Sequence, residues 1–89
     1  MGATADSRAK LRQFLARTFL LSDQEFPLAD TESLRENGVV DSTGVLELIT
    51  WLETTFGIQI EDAEAVPKNL DSVASLVAFV ARKQLKQTA

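Results

Sequence analysis

Apolar residues recur at helical spacing in three segments of the chain, and this pattern predicts three long helices. The first is expected over about residues 6–19, where Asp6 or Ser7 can cap its start. The second is expected over about residues 42–56, with Asp41 as its N-cap. The residues that should face the core are Leu11, Phe14, Leu15 and Phe19 in the first helix, and Val45, Leu48, Ile49, Leu52 and Phe56 in the second.

The sequence from Gly57 onward predicts the end of the second helix, then a short helix and a last long helix. Gly57 is well suited to end the second helix, and a short helix III is expected over about 62–66, limited by Pro67. The last helix is expected over about 72–86, after Asp71 as its cap. Its inward residues are predicted to be Val73, Leu76, Val77 and Val80.

Residues 20–41 show no sustained period and predict a long ordered loop. Phe26, Leu28 and Leu34 can hold this loop against the core, and Asn37-Gly38 indicates a turn near its end. The expected architecture is therefore an all-α, antiparallel four-helix bundle with three longer helices, one short helix and a long first loop. Its length fits a single domain over residues 1–89.

The composition argues against an enzyme. The chain has no cysteine, no histidine and no tyrosine, so it cannot form a disulfide, a thiolate metal site or a Ser/His or Cys/His nucleophile pair. Hydrophobic residues make up 45% of the chain, enough for a packed core. We therefore expect a non-catalytic domain.

The charge is acidic and concentrated in the middle of the chain. The formal net charge is −4, and residues 41–66 contain acids but no base. This distribution argues against nucleic acid and suggests partners with basic patches, although a solvated surface is an alternative. No apolar run is long enough to span a membrane, which predicts a cytoplasmic protein. The acids of this region are Asp41, Glu47, Glu53, Glu61, Asp62 and Glu64.

A turn, two apolar residues, a helix cap and a serine follow one another before the second helix. Asn37-Gly38 provides the turn, Val39 and Val40 the apolar anchors, and Asp41 the cap. Ser42 then projects its hydroxyl from the first turn, where helical N–H groups and the helix dipole favour a phosphate. From these residues alone, Ser42 is better explained as a capping residue that shares this role with Asp41.

The wider pattern around Asp41-Ser42 resembles the acyl carrier protein family. The pair is followed by Glu47-Leu48-Ile49, Leu52-Glu53 and Phe56-Gly57-Ile58, and the similarity continues through Leu70 to Val80. The resemblance implies that a phosphopantetheinyl transferase attaches 4′-phosphopantetheine to Ser42, with Asp41 as the adjoining recognition residue. The thiol of that arm would hold acyl groups as thioesters for successive enzymes.

The resemblance also implies a partner-facing surface on the second helix. Its partners would be the transferase, an acyl- or aminoacyl-activating ligase, and downstream acyl-processing enzymes with basic docking patches. We expect the protein to act as a monomer. The implied contact residues are Thr43, Leu46, Glu47, Thr50 and Glu53.

Two positions depart from the family pattern. Thr43 stands where a larger hydrophobe is usual, and Gly44 stands where many fatty-acid carriers have an acid. A small residue there is similar to D-alanyl carrier proteins loaded by adenylating ligases. The cargo is therefore either acyl, in fatty-acid, polyketide or other specialised metabolism, or aminoacyl.

Other interpretations of the sequence remain. Ser42 could stay unmodified in a helical protein-interaction module, and the acids 61–64 could form a metal site, although they lack EF-hand spacing. Trp51 is expected at the boundary of the core, packed on the long loop. Three apolar residues could line a cleft for an acyl chain or simply belong to the core, namely Ile60, Ala65 and Val66.

Overall fold

The computed structural model describes the backbone of residues 3–88 and the side chains of residues 6–85. Within these residues all regular secondary structure is helical, and α4 packs against the other three helices. The helices are α1 (Ala3–Phe19), α2 (Ser42–Phe56), α3 (Pro67–Leu70) and α4 (Val73–Thr88), with a 3₁₀ turn at Asp62–Glu64 between α2 and α3.

The core forms along the helix faces that the periodicity predicts. Leu11 and Leu15 of α1, Leu48 and Leu52 of α2, and Leu76 of α4 are fully buried. Burying one such side chain stabilises the fold by about 1.5–3 kcal/mol. The sequence prediction omitted several buried residues, among them Ala16, Phe79, Ile58 and Leu70.

The segment between α1 and α2 is held to the helices at several points. Phe26 and Leu34 are buried, and Leu28 packs against the core. The Arg12 guanidinium donates to the Phe26 carbonyl at 2.7 Å. The Asp30 carbonyl accepts the Ala74 N–H at 2.9 Å, which connects this segment to the start of α4.

The predicted start of α1 is wrong. The helix begins at Ala3, so Asp6 and Ser7 lie inside it rather than at its cap. Alanine is the strongest helix former, and the residues before Asp6 therefore extend the helix. Asp6 instead pairs with Lys10 one turn later at 3.4 Å, and Ser7 is buried.

Pro67 begins a helix instead of ending one. The predicted helix over 62–66 is a 3₁₀ turn at Asp62–Glu64 followed by the separate helix Pro67–Leu70. Proline suits the first helical position because that position needs no N–H partner and its φ is already fixed.

Asp71 does not cap α4. The Ser72 hydroxyl oxygen accepts the Ser75 N–H at 3.1 Å, so Ser72 makes the capping bond. The Asp71 carboxylate instead accepts the Arg35 N–H at 3.0 Å and the Ser33 hydroxyl. The Asp71 carboxylate therefore bonds to the loop, although its position in the sequence predicts that it caps α4.

Trp51 packs on Phe14 of α1. Its ring stacks on Phe14 with centroids 4.2 Å apart and planes 12° apart. The same ring meets Phe56 edge-on at 5.5 Å. The half-buried state of Trp51 agrees with the predicted boundary position, while its contact with the long loop stays a prediction.

Candidate functional site

Ser42 is the first residue of α2, and it is exposed. Asp41 before it has extended backbone angles, and its carboxylate accepts the Gly44 N–H at 2.7 Å. The Asp41 carbonyl accepts the Val45 N–H at 2.9 Å, which starts the helical hydrogen-bond pattern. The capping bond therefore belongs to Asp41, and the Ser42 hydroxyl is left outside that bond.

The buried residues before Asp41 fix the place at which α2 begins. Val39 and Val40 are buried, and the Val39 N–H donates to the Leu34 carbonyl at 2.9 Å. Gly38 precedes them with φ of 73°, a conformation that glycine adopts without steric cost. The predicted turn at this glycine is confirmed, and it turns the chain from the loop into the first turn of α2.

Gly44 lies in tight contact with the end of α1. A Cβ added at this position would lie 2.9 Å from Cε1 of Phe19 and 3.3 Å from the Asp41 carboxylate. Real Cβ atoms essentially never approach another heavy atom that closely. Packing against Phe19 therefore explains why residue 44 is a glycine.

An open cleft of about 500 Å³ lies beside Ser42. One wall comes from the loop, one from the start of α2, and one from the segment that contains α3. Ala65 and Val66 line the cleft as the sequence suggested, whereas Ile60 is absent from its lining and packs on the core. The lining residues are Leu34, Arg35, Gly38, Val40, Asp41, Ser42, Val45, Ala65, Val66, Pro67, Leu70 and Asp71.

The charged groups of this cleft are two acids and one base. The Asp41 carboxylate accepts the N–H of Gly44, and the Asp71 carboxylate accepts that of Arg35. Arg35 is the single cationic residue among the described residues that line the cleft. Sequence reasoning missed Arg35 and Asp71, because tertiary packing brings them beside Ser42 from separate segments.

Four of the five predicted contact residues form an exposed strip along α2. Leu46, the apolar member of the strip, keeps 68% of its surface exposed. Thr43, Glu47 and Thr50 are exposed around it. Glu53 differs because it is half-buried, and its carboxylate accepts the Ile60 N–H at 2.9 Å. The structure thus shows an intramolecular bond for Glu53, while its role as a partner contact stays a prediction.

Two of the three acids at 61–64 serve the local fold. Glu61 and Glu64 form a capping box around the 3₁₀ turn, and Lys83 donates to the Glu64 carboxylate at 2.9 Å. Over the described residues, no group of three or more acidic side chains is arranged to hold a metal ion. The described helices also include none that is long and apolar enough to cross a membrane.

Fold and site together define a small helical domain that presents one serine at a helix start beside an open cleft. The family model described as the phosphopantetheine attachment site matches residues 9–80. The chain therefore belongs to this family, whose domains carry covalently attached 4′-phosphopantetheine and are generally non-catalytic. Such domains interact with phosphopantetheinyl transferases and acyl-processing enzymes. A comparison with curated proteins finds no match.

The residues around Ser42 fit a group that is attached through a phosphodiester. The exposed hydroxyl leaves room for the bond, and the first turn of α2 supplies backbone N–H donors and the positive end of the helix dipole. The cleft beside the serine is open rather than enclosed, so the group can lie along it or leave it.

Proposed function

We propose that the protein is an acyl carrier protein that bears its 4′-phosphopantetheine arm on Ser42. The observation that supports this most directly is the exposed Ser42 at the first position of α2, capped by Asp41. Within the matched family, an arm at this position can reach the active sites of separate enzymes. When bound, the group supplies a thiol that holds acyl intermediates as thioesters.

The residues of the chain position the serine and leave the chemistry to other proteins. Asp41 holds the first turn of α2, which keeps the Ser42 hydroxyl at the surface. The chain lacks histidine, the side chain that most often takes a proton from a hydroxyl, and in this proposal the transferase supplies the base. Asp41 is also our proposed recognition residue for that enzyme.

The proposed docking surface is the exposed strip beside Ser42. Leu46 supplies its apolar centre, and Thr43, Glu47 and Thr50 surround it. An apolar residue framed by polar ones is the arrangement expected at the centre of a transient interface. Glu47 suits a partner with a basic patch. In this proposal residues 1–89 form one domain, an antiparallel four-helix bundle that acts as a monomer.

The cargo that we propose is an acyl group, with an aminoacyl or D-alanyl group as the alternative. The similarity of Gly44 to the small residue of D-alanyl carrier proteins would by itself favour the aminoacyl alternative. Because Phe19 packs into the space beside Gly44, that residue has a structural cause and gives no information about cargo.

The proposed function is tested by intact-protein mass after incubation with coenzyme A, magnesium and a broad-specificity phosphopantetheinyl transferase. The parent protein should gain one phosphopantetheinyl group, and Ser42→Ala should gain none. Thr55→Ala is the matched control, since it removes an exposed hydroxyl of the same helix outside the proposed docking surface and should still be modified. Helical circular dichroism confirms that each variant is folded.

No mass gain in the folded parent protein, after several transferases have been tried, would contradict the proposal. The unmodified helical protein-interaction module would then become the better description. Transfer to Ser42→Ala would instead show that another residue is the attachment site.

A further inference from the structure

The cleft beside Ser42 has an uneven distribution of charge. Asp41 and Asp71 each bring a carboxylate to its lining, and each of these accepts a backbone N–H. Arg35 lines the same cleft, and no carboxylate of the described residues lies within ion-pair distance of its guanidinium. The acids are therefore engaged within the fold, whereas the base has no ionic partner there.

An anionic group attached at Ser42 would meet two carboxylates in this cleft. Like charges at short range repel, and this cost grows when the groups are partly shielded from water. A cation in the same lining offsets the repulsion. Arginine is well suited to the task, because its planar guanidinium can donate two parallel hydrogen bonds to a phosphate or a carboxylate.

The backbone of Arg35 is fixed while its side chain is exposed. Its N–H donates to the Asp71 carboxylate, and its carbonyl accepts the Gly38 N–H at 3.0 Å. These bonds hold the residue at the edge of the cleft and involve no side-chain atom of Arg35. The backbone of Arg35 is thus held at the cleft that Ser42 also lines, by contacts that a side-chain substitution leaves intact.

We propose that Arg35 is the anion-binding residue of this cleft and holds a negatively charged group that is delivered on Ser42. The inference rests on the proposed function, since it requires Ser42 to be modified. Two sources share the required chemistry. One is the phosphodiester of the arm, and the other is a carboxylate at the far end of an acidic acyl cargo.

The test follows the Arg35 Nε–H by NMR in four forms of the chain. These are the apo protein, the holo protein, and the holo protein loaded with butyryl or succinyl from the corresponding coenzyme A thioester. Butyryl and succinyl have the same number of carbons, but only succinyl ends in a carboxylate. Arg35→Gln assigns the resonance, and the Arg82 signal is an internal reference because that side chain already bonds to Asn69.

Binding of the phosphodiester should slow exchange of the Arg35 Nε–H with water by about two- to fivefold in holo relative to apo protein, the range for an exposed ion pair. The ³¹P resonance of the holo protein should then move in Arg35→Gln and stay in place in Lys68→Gln. Lys68→Gln is the matched control because it removes one positive charge from a neighbouring residue outside the cleft lining.

If Arg35 binds a cargo carboxylate instead, the Arg35 Nε–H should exchange with water at the same rate in the apo, holo and butyryl forms. Its exchange should be slower only in the succinyl form. Either result supports the inference. Equal exchange rates in all four forms, with modification of Ser42 verified by mass, would overturn it while leaving the proposed function intact. A Ser42 that stays unmodified would overturn both.

Discussion

The ring of Phe19, at the end of α1, occupies the space that a side chain at Gly44 would need. Phe19 Cε1 lies 2.9 Å from the position of an added Cβ, and the ring is itself held edge-on by Phe14 at 5.8 Å. The first turn of α2 therefore packs directly on the end of α1. The position of Ser42, two residues before Gly44, depends on this contact.

Gly44→Ala should destabilise the protein by about 1 kcal/mol. Alanine gains up to about 1 kcal/mol of helix propensity over glycine, but overpacking in a fitted site costs about 1–3 kcal/mol. In a Phe19→Ala background the closest contact is gone and only the 3.3 Å approach to the Asp41 carboxylate remains, so the same substitution should cost less. Urea denaturation of the four variants measures this coupling, and an equal effect of Gly44→Ala in both backgrounds would refute the packing explanation.

Asp30 should make stability depend on acid pH. The pKa of this carboxyl is lowered from its ordinary value, and the largest cause is the hydrogen bond from Arg8. Coulombic attraction to Arg8 and the contacts with Arg12 lower the pKa further, while desolvation by burial acts in the opposite direction. The folded state thus binds a proton less readily than the unfolded chain does. This contribution is fully present above the unfolded pKa and is lost as the pH falls through the folded pKa.

Asp30→Asn should lower stability at pH 7 by about 1 kcal/mol, as expected for partly exposed ion pairs of which one partner, Arg12, is largely shielded from solvent. The difference from the parent protein should shrink below pH 4, where the parent loses the same interaction. Asp23→Asn is the control, because that side chain is almost fully exposed and lies 3.9 Å from Arg17. A difference that stays constant from pH 7 to pH 3 would rule out the ionic explanation.

The sequence predicts the long helices well because each one buries a face with a simple period. Leu11 and Leu15, or Leu48 and Leu52, are spaced by one turn, and all four are fully buried. The prediction fails where local and tertiary partners compete for the same group. Asp71 could cap α4, but its carboxylate bonds to the loop, and Ser72 caps the helix instead.

The candidate site also contains residues that the sequence could predict and residues that it could not. Asp41 and Ser42 are adjacent in sequence, so a capped helix start with an exposed hydroxyl could be predicted from the order of residues. Arg35 and Asp71 come to the same cleft from the loop and from the junction between α3 and α4, and no local pattern relates them. The chemistry of the cleft therefore required the structure.

Asp41 should show separable contributions to stability and to modification. Asp41→Ala removes the bond to the Gly44 N–H and should cost about 1 kcal/mol, the typical value for loss of an N-cap. Asp41→Asn keeps a capping oxygen and should cost less than half as much. If the transferase recognises the charge, Asp41→Asn should nevertheless be modified more slowly than the parent protein. Urea denaturation and the rate of mass gain measure the two effects, and parent-like modification of Asp41→Asn would exclude recognition of the charge.

Glu53 should matter for stability, in contrast to Glu47 on the same helix. The Glu53 carboxylate accepts the Ile60 N–H at 2.9 Å, which ties the end of α2 to the segment that leads toward α3. Glu53→Ala leaves a partly buried N–H without its partner and should cost about 1–2 kcal/mol. Glu53→Gln retains an acceptor oxygen and should cost less, whereas Glu47→Ala should change stability by less than about 0.5 kcal/mol, as surface substitutions usually do. Urea denaturation at pH 7 ranks the three variants, and equal costs for Glu53→Ala and Glu47→Ala would show that the bond to Ile60 does not stabilise the fold.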